Sequence, residues 1–377
     1  MFAALKSLDI LVMRQTSKYI VIMNKYLFLL LFIILSSCQY DIVDEREIIR
    51  FESPANLDSL ISEFKLVELE LNDSSCFTSL TQFVDINSDY LIFDEVINKL
   101  FLFDSSGNFL SNVLSKGQSS TEYSHIESVC YYDSLLYVSD SRNKTIVVDI
   151  AKGLVLPSLP YFGHQIFKDS DSSFLSLDFV SEEDTNYYVN RYNNNGIKMS
   201  SFCPMTVNSG YMMSPKPYFY CIQDSVKFGL PFSDKLFHYC SDSCYELQKF
   251  IIDGYKFPQS SEMQQYCDEN TIINFWRTDD KFVHLFIPYE NSTHLIGYFR
   301  NAKNKWFGIY DKRTGKSLVY LIDVKSSLFY PIVGISNDYF VSNPSTEILN
   351  YLNEQGSLTI NSPIDIDNSY LLFWKLK

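Results

Sequence analysis

Residues 89–108 read DYLIFDEVINKLFLFDSSGN, and residues 133–153 read DSLLYVSDSRNKTIVVDIAKG. Each stretch holds two apolar runs, an Asn-Lys pair between them, and a glycine-bearing turn at its end. The spacing is fixed: Asp94 to Asp140 is 46 residues, and so is Gly107 to Gly153. Aromatic and β-branched runs bounded by Asn, Asp and Gly predict strands. Two matched copies at one spacing make a structural repeat.

Weaker copies follow. Segments 174–179 and 187–192 lead to the turn at Asn193 to Gly196. Segments 226–230 and 235–239 lead to a turn at 240–244. Segments 282–288, 294–299 and 306–310 lead to a turn at 312–315. The last unit is less regular. It comprises a strand at 338–342, a helix start with Asn343 as cap and Pro344 at its first position, Gly356 as its stop, and a strand over 368–377 (NSYLLFWKLK).

A sheet with two apolar faces cannot stand alone, and radial packing of such units covers those faces. The reading is all-β, a six-bladed β-propeller with one short helix near the C-terminus. The ring closes through residues 64–70 (FKLVELE) on the last blade. A seventh blade fits if the long interval between Cys244 and Gly315 hides another strand pair. Residues 253–270 are polar and read as a loop insertion there.

Composition agrees. Of 377 residues, 46% are hydrophobic, with 27 Tyr and 30 Phe, enough for a large core of strands. The net charge is -14. Setting aside residues 1–37, which hold Lys6, Arg14, Lys18, Lys25 and Asp9, leaves 27 basic and 44 acidic side chains, a net of -17. That surface repels phosphate backbones and excludes nucleic acid as a partner.

Residues 26–35 (YLFLLLFIIL) follow Lys25 and precede Leu35-Ser36-Ser37-Cys38. A charged flank, a short apolar core and small exit residues make a secretory signal over 1–37. Met23 is a natural start, which leaves 1–22 as an upstream extension. L-S-S-C resembles the lipobox of bacterial lipoproteins, which implies acylation of Cys38 and anchorage in a lipid bilayer. Residues 38–57, opening with the acidic stretch Gln39 to Glu47, then read as a tether, and 58–377 as the propeller.

Two further motifs carry a family resemblance. Residues 114–123 (LSKGQSSTEY) resemble a "G-x-G-P-G-E-Y" connection, and 367–377 (DNSYLLFWKLK) resemble a "D-N-P…Y-K-L-K" ending. Both are similar to a family of six-bladed propeller lipoproteins of Gram-negative bacteria, related to NHL-type propellers. Ser119, Ser120 and Ser369 stand where that family has Gly, Pro and Pro. The resemblance implies an outer-membrane location, facing the surface or the periplasm.

Catalytic signals are weak. Cys240 and Cys244 fit a hairpin disulfide, a metal half-site or unpaired thiols. Zinc needs more ligands than this pair supplies. His125, His164, His238, His284 and His294 form no metal-binding motif, and Glu182-Glu183 and Asp279-Asp280 read as turns. No cofactor motif is present. Glu122, Tyr123, Arg142, Trp276 and Arg277 fall in connections, where they could grip a ligand at the channel mouth. The functional expectation is a non-catalytic binding or scaffold protein for a glycan, a peptide or an envelope protein. The alternative is a propeller-type glycoside hydrolase or lyase.

Overall fold

The computed structural model describes residues 47–51, 60–86, 89–177, 187–205, 219–222, 225–230, 232–240, 242–263, 265, 269–322, 329–354, 364–365 and 368–377. The leader, Cys38, the tether up to residue 46, Glu182-Glu183 and Gly356 lie outside the described residues.

Six sheets are present. Blade 1 is β3 (Gln82–Ile86), β4 (Asp89–Asp94), β5 (Lys99–Phe103) and β6 (Phe109–Asn112). Blade 2 is β7 (Ile126–Tyr132), β8 (Leu135–Asp140), β9 (Lys144–Asp149) and β10 (Leu154–Pro160). Blade 3 is β11 (Gln165–Ser170), β12 (Ser173–Leu177), β13 (Tyr187–Asn193) and β14 (Lys198–Pro204). Blade 4 is β15 (Phe219–Ile222), β16 (Ser225–Gly229), β17 (Lys235–Cys240) and β18 (Ser243–Ile252). Blade 5 is β19 (Leu285–Glu290), β20 (His294–Arg300), β21 (Lys305–Asp311) and β22 (Lys316–Leu321). Blade 6 joins β23 (Ile332–Ser336), β24 (Tyr339–Ser342) and β25 (Ser369–Leu376) to β2 (Ile61–Leu69), which comes from the other end of the chain. β2 runs antiparallel to β25, with Phe64 opposite Trp374. The ring therefore closes where the sequence places it.

The apolar runs lack alternation because both their faces are covered. In blade 1, Leu91, Phe93, Leu100 and Leu102 join the core shared with blade 2. Their neighbours Tyr90, Ile92, Phe101 and Phe103 join the core shared with blade 6. The outer strand β6 has one blade face and one solvent face, and its residues are largely exposed.

The repeated polar residues knit the blades. Asp94 accepts from the backbone N–H of Ser79 at 2.9 Å, and 46 residues on Asp140 accepts from those of Ser124 and His125 at 3.0 and 3.1 Å. Each carboxylate thus fixes the connection that enters its own blade. Asn98 clamps blade 2 through both Ile126 backbone groups, at 2.8 and 2.9 Å. Gly107 (φ 90°) carries the turn that docks on β2, its carbonyl accepting from Glu70 N at 2.8 Å. A Cβ there would lie 1.9 Å from the Glu68 carbonyl oxygen, so only glycine fits.

Three expectations change. Residues 47–51 sit in the assigned tether, yet they form β1 (Glu47–Phe51), a fifth strand parallel to the edge of β18. The apolar Ile49 and Phe51 explain it: both are buried, Phe51 between Phe250 and Phe299. The interval after β18 holds α1 (Ser260–Met263) and α2 (Glu269–Thr278), and among the described residues no seventh sheet. The C-terminal helix α3 (Thr346–Glu354) starts two residues after Pro344.

Candidate functional site: the central channel

All six innermost strands, β3, β7, β11, β15, β19 and β23, line one channel of about 480 Å³. That volume falls within the range of small-ligand pockets. At the start of the inner strands the lining side chains, among them Gln82, Ser128 and Gln165, are buried, and Gln82 Nε2 donates to the Val129 carbonyl at 3.3 Å. Toward the opposite end, where hairpins leave the inner strands, the lining includes half-buried Tyr131 and Tyr220 and exposed Cys221, Ser292 and Asn337. Among the described lining residues, solvent reaches Cys221, Ser292 and Asn337 at the hairpin end.

Glu290 is the one carboxylate among the described lining residues. It is buried, and it accepts from Lys227 Nζ at 2.8 and 2.9 Å, Lys312 Nζ at 3.0 Å and Tyr220 OH at 2.8 Å. Burial pushes its carboxyl up, but the hydrogen bonds and charges of the two lysines win and hold it below the ordinary value. Burial, then the Glu290 charge, drives the Tyr220 phenol well above its usual range. The cluster is a fixed charged wall between blades 4 and 5, with its hydrogen bonds satisfied internally.

The residues singled out by sequence lie elsewhere, and none of the five lines this channel. Glu122, Tyr123 and Arg142 do come together, in the connection between blades 1 and 2. Ser119 N donates to Glu122 at 2.8 Å, and Arg142 donates to the Gln118 side chain at 2.9 Å and to the Gly117 carbonyl. Lys144 adds bonds to three carbonyls of the same loop, those of Ser119, Ser120 and Glu122. Tyr123 is buried in the core of blades 1 and 2. Their geometry shapes the loop. On α2, Trp276 packs edge-on against Phe232, while Arg277 is exposed on the last turn.

Cys240 and Cys244 are not brought together. The hairpin register sets Cys240 opposite Ser243 and Tyr239 opposite Cys244. The two cysteines therefore point to opposite faces of the sheet. Cys244 meets Cys203 of blade 3 instead, at 3.5 Å between sulfurs.

Residues missed by sequence reasoning belong to the inner strands. A signal existed: Gln82 and Ser128, both polar, stand 46 residues apart at the start of two inner strands. The unbroken apolar runs of β4 and β5, and of β8 and β9, drew the reading away from these inner strands.

His284, beside Phe275 and Trp276, carries a pH dependence. Burial outweighs the nearby Asp279 carboxylate and lowers its pKa from 6.5 to about 4. Between those values the unfolded chain takes up a proton that the folded one refuses, so stability falls as pH falls from 6.5 to 4. The loss is about 3 kcal/mol at 1.36 kcal/mol per unit. Urea titrations across this window are expected to show a His284→Gln variant losing less stability than the wild type by about that amount. Equal pH slopes in the two proteins refute the assignment.

The fold and its channel define a six-bladed β-propeller whose inner strands frame one central cavity. Within that class, the model of the family described as "Domain of unknown function (DUF4934)" matches residues 40–369, and the chain belongs to that family. No curated protein matches it. Among solved structures it is similar to a Bacteroides fragilis protein inferred to be exported, with a TM-score of 0.76 and 19% identity over 88% of this chain and 99% of that one. It is also similar to a member of the DUF4221 family from Bacteroides vulgatus, with a TM-score of 0.52 and 10% identity over 84% and 98% of the two chains. At these identities the likeness establishes the fold. No described helix is long and apolar enough to cross a membrane.

Proposed function

We propose that the protein is an exported, lipid-anchored binding protein of the cell envelope that takes a short glycan into the hairpin end of its channel. The observation that carries this reading is the cavity of about 480 Å³, lined by the aromatic rings of Tyr131, Phe167 and Tyr220 and by the polar Ser292 and Asn337. Apolar walls with a few placed polar groups suit a sugar, which offers both C–H faces and hydroxyls. A peptide is the other ligand class that such walls accept. The glycoside hydrolase alternative calls for two carboxylates across a cleft. The described lining supplies Glu290 alone, and that group is engaged by two lysines and a tyrosine.

The export half rests on the leader and Cys38, and agrees with the name of the Bacteroides fragilis relative. Eight residues, or nine Cα-to-Cα steps, separate Cys38 from Glu47, where β1 begins. Fully extended, they span about 30 Å, so the propeller would ride close to the lipid surface.

Calorimetric titration of the full chain in detergent against malto-, xylo-, chito- and uronic-acid oligosaccharides tests the binding half. One class is expected to bind without being cleaved, and a channel-filling Cys221→Trp variant to lose that binding at least roughly tenfold. Release of new reducing ends, or binding indifferent to Cys221→Trp, overturns the proposal. Fractionation of the same cells tests the anchor: Cys38→Ser is expected to leave the membrane fraction, and its retention there counts against lipidation.

A further inference from the structure

The outer strands β14 of blade 3 and β18 of blade 4 meet at a seam, and there Cys203 Sγ lies 3.5 Å from Cys244 Sγ. Both residues are half-buried. Cys203 holds a left-handed backbone, φ 56°, which side-chain-bearing residues adopt rarely and which marks a constrained position. Cys203 also lines a cavity of about 280 Å³ together with Lys235 and Glu246, so reagents in solvent have a route to the pair. A disulfide needs the sulfurs at about 2.05 Å, a movement of about 1.5 Å shared by two side chains.

We propose that Cys203 and Cys244 are a disulfide site that staples blade 3 to blade 4. The bond spans a 41-residue separation in sequence and joins two blades that also meet through the Phe202–Tyr239 ring contact and the Arg191–Asp242 ion pair. Where it forms in the cell rests on the export reading above, because disulfides persist in oxidising compartments. Whether it forms at all rests on the geometry.

The chemistry is exchange with an external disulfide, such as oxidised glutathione or an oxidised dithiol protein. The hydrogen bond to Cys244, and then burial, hold the Cys203 thiol well above its ordinary pKa. Either thiol, once deprotonated, can open the exchange; in one order Cys244 goes first. It attacks one sulfur of the external disulfide, forms a mixed disulfide and expels one thiolate. Cys203 then gives up its proton and attacks the Cys244 sulfur, expelling the second. Two electrons pass from the cysteine pair to the external disulfide, which leaves as two thiols.

The full chain, purified reduced and exposed to oxidised glutathione, is alkylated, digested and weighed. The expected product is one cross-linked pair of peptides carrying Cys203 and Cys244, two hydrogens lighter than the free peptides. Cys240→Ser should keep that cross-link, and Cys203→Ser should leave Cys244 open to alkylation. Alkylation of both Cys203 and Cys244 in the folded, glutathione-treated wild type overturns the site, as does a Cys240–Cys244 link. A separate digest of chain taken from cell envelopes, with thiols blocked at lysis, addresses location. Reduced cysteines there, alongside a cross-link formed in the tube, count against export and leave the site standing.

Discussion

Replacing Trp374 by alanine is expected to lower the stability of the protein by about 3–5 kcal/mol, the range for removing a buried tryptophan. Trp374 sits on β25, fully buried, between Phe329 at 4.9 Å and Phe340 at 5.1 Å. Its Nε1–H donates to Ser342 Oγ at 2.9 Å, and that hydroxyl donates to the Phe329 carbonyl at 2.8 Å. Alanine leaves a cavity and strips the Ser342 oxygen of its donor in the blade that joins the two ends of the chain. Trp374→Phe fills most of the space and loses mainly the hydrogen bond, a cost of about 1 kcal/mol. Equilibrium denaturation of the two variants separates these effects. A Trp374→Ala loss no larger than that of Trp374→Phe would contradict the closure described here.

Phe51→Ala is expected to cost about 3–5 kcal/mol for the same reason. The Phe51 ring lies stacked on Phe250 at 5.9 Å and edge-on to Phe299 at 5.4 Å. It covers Gly308 of blade 5, where a Cβ would come 2.7 Å from both the Phe51 and the Phe299 rings. That glycine is what lets the N-terminal strand reach across. Ser317 Oγ donates to the Arg50 carbonyl beside it, so β1 is bonded to blade 4 and blade 5 together. If residues 47–51 were only a tether, alanine at 51 would leave the denaturation midpoint unchanged.

The fold was legible because its loudest strands are sandwiched. β4, β5, β8 and β9 bury both faces between blades, so they read as unbroken apolar runs, and the Asp and Asn residues beside them recur because each ties one blade to a neighbouring segment. The closing strand was legible too, since FKLVELE is strand-like and otherwise unpaired. β1 was not, because EIIRF is five residues at the end of an acidic run and gains its meaning only from Phe250, Phe299 and Gly308. The site was the least legible part. Channel residues come from six strands spread from Gln82 to Asn337, and the 46-residue step from Gln82 to Ser128 links just two of them. The arginine and aromatic residues conspicuous in sequence, Arg142 and Tyr123, turned out to hold a connection in shape.

The account's central claim is that the ligand enters the channel at its hairpin end. Cys221 is exposed on that wall, while Cys76 and Cys240 are exposed outside the channel lining. The most direct measurement is the alkylation rate of each of the three, followed by peptide mass spectrometry, with and without the oligosaccharide that binds best. The account predicts that Cys221 alone slows, roughly 100-fold at a ligand concentration 100 times Kd. Alkylation of Cys221 at the same rate under full occupancy would contradict it.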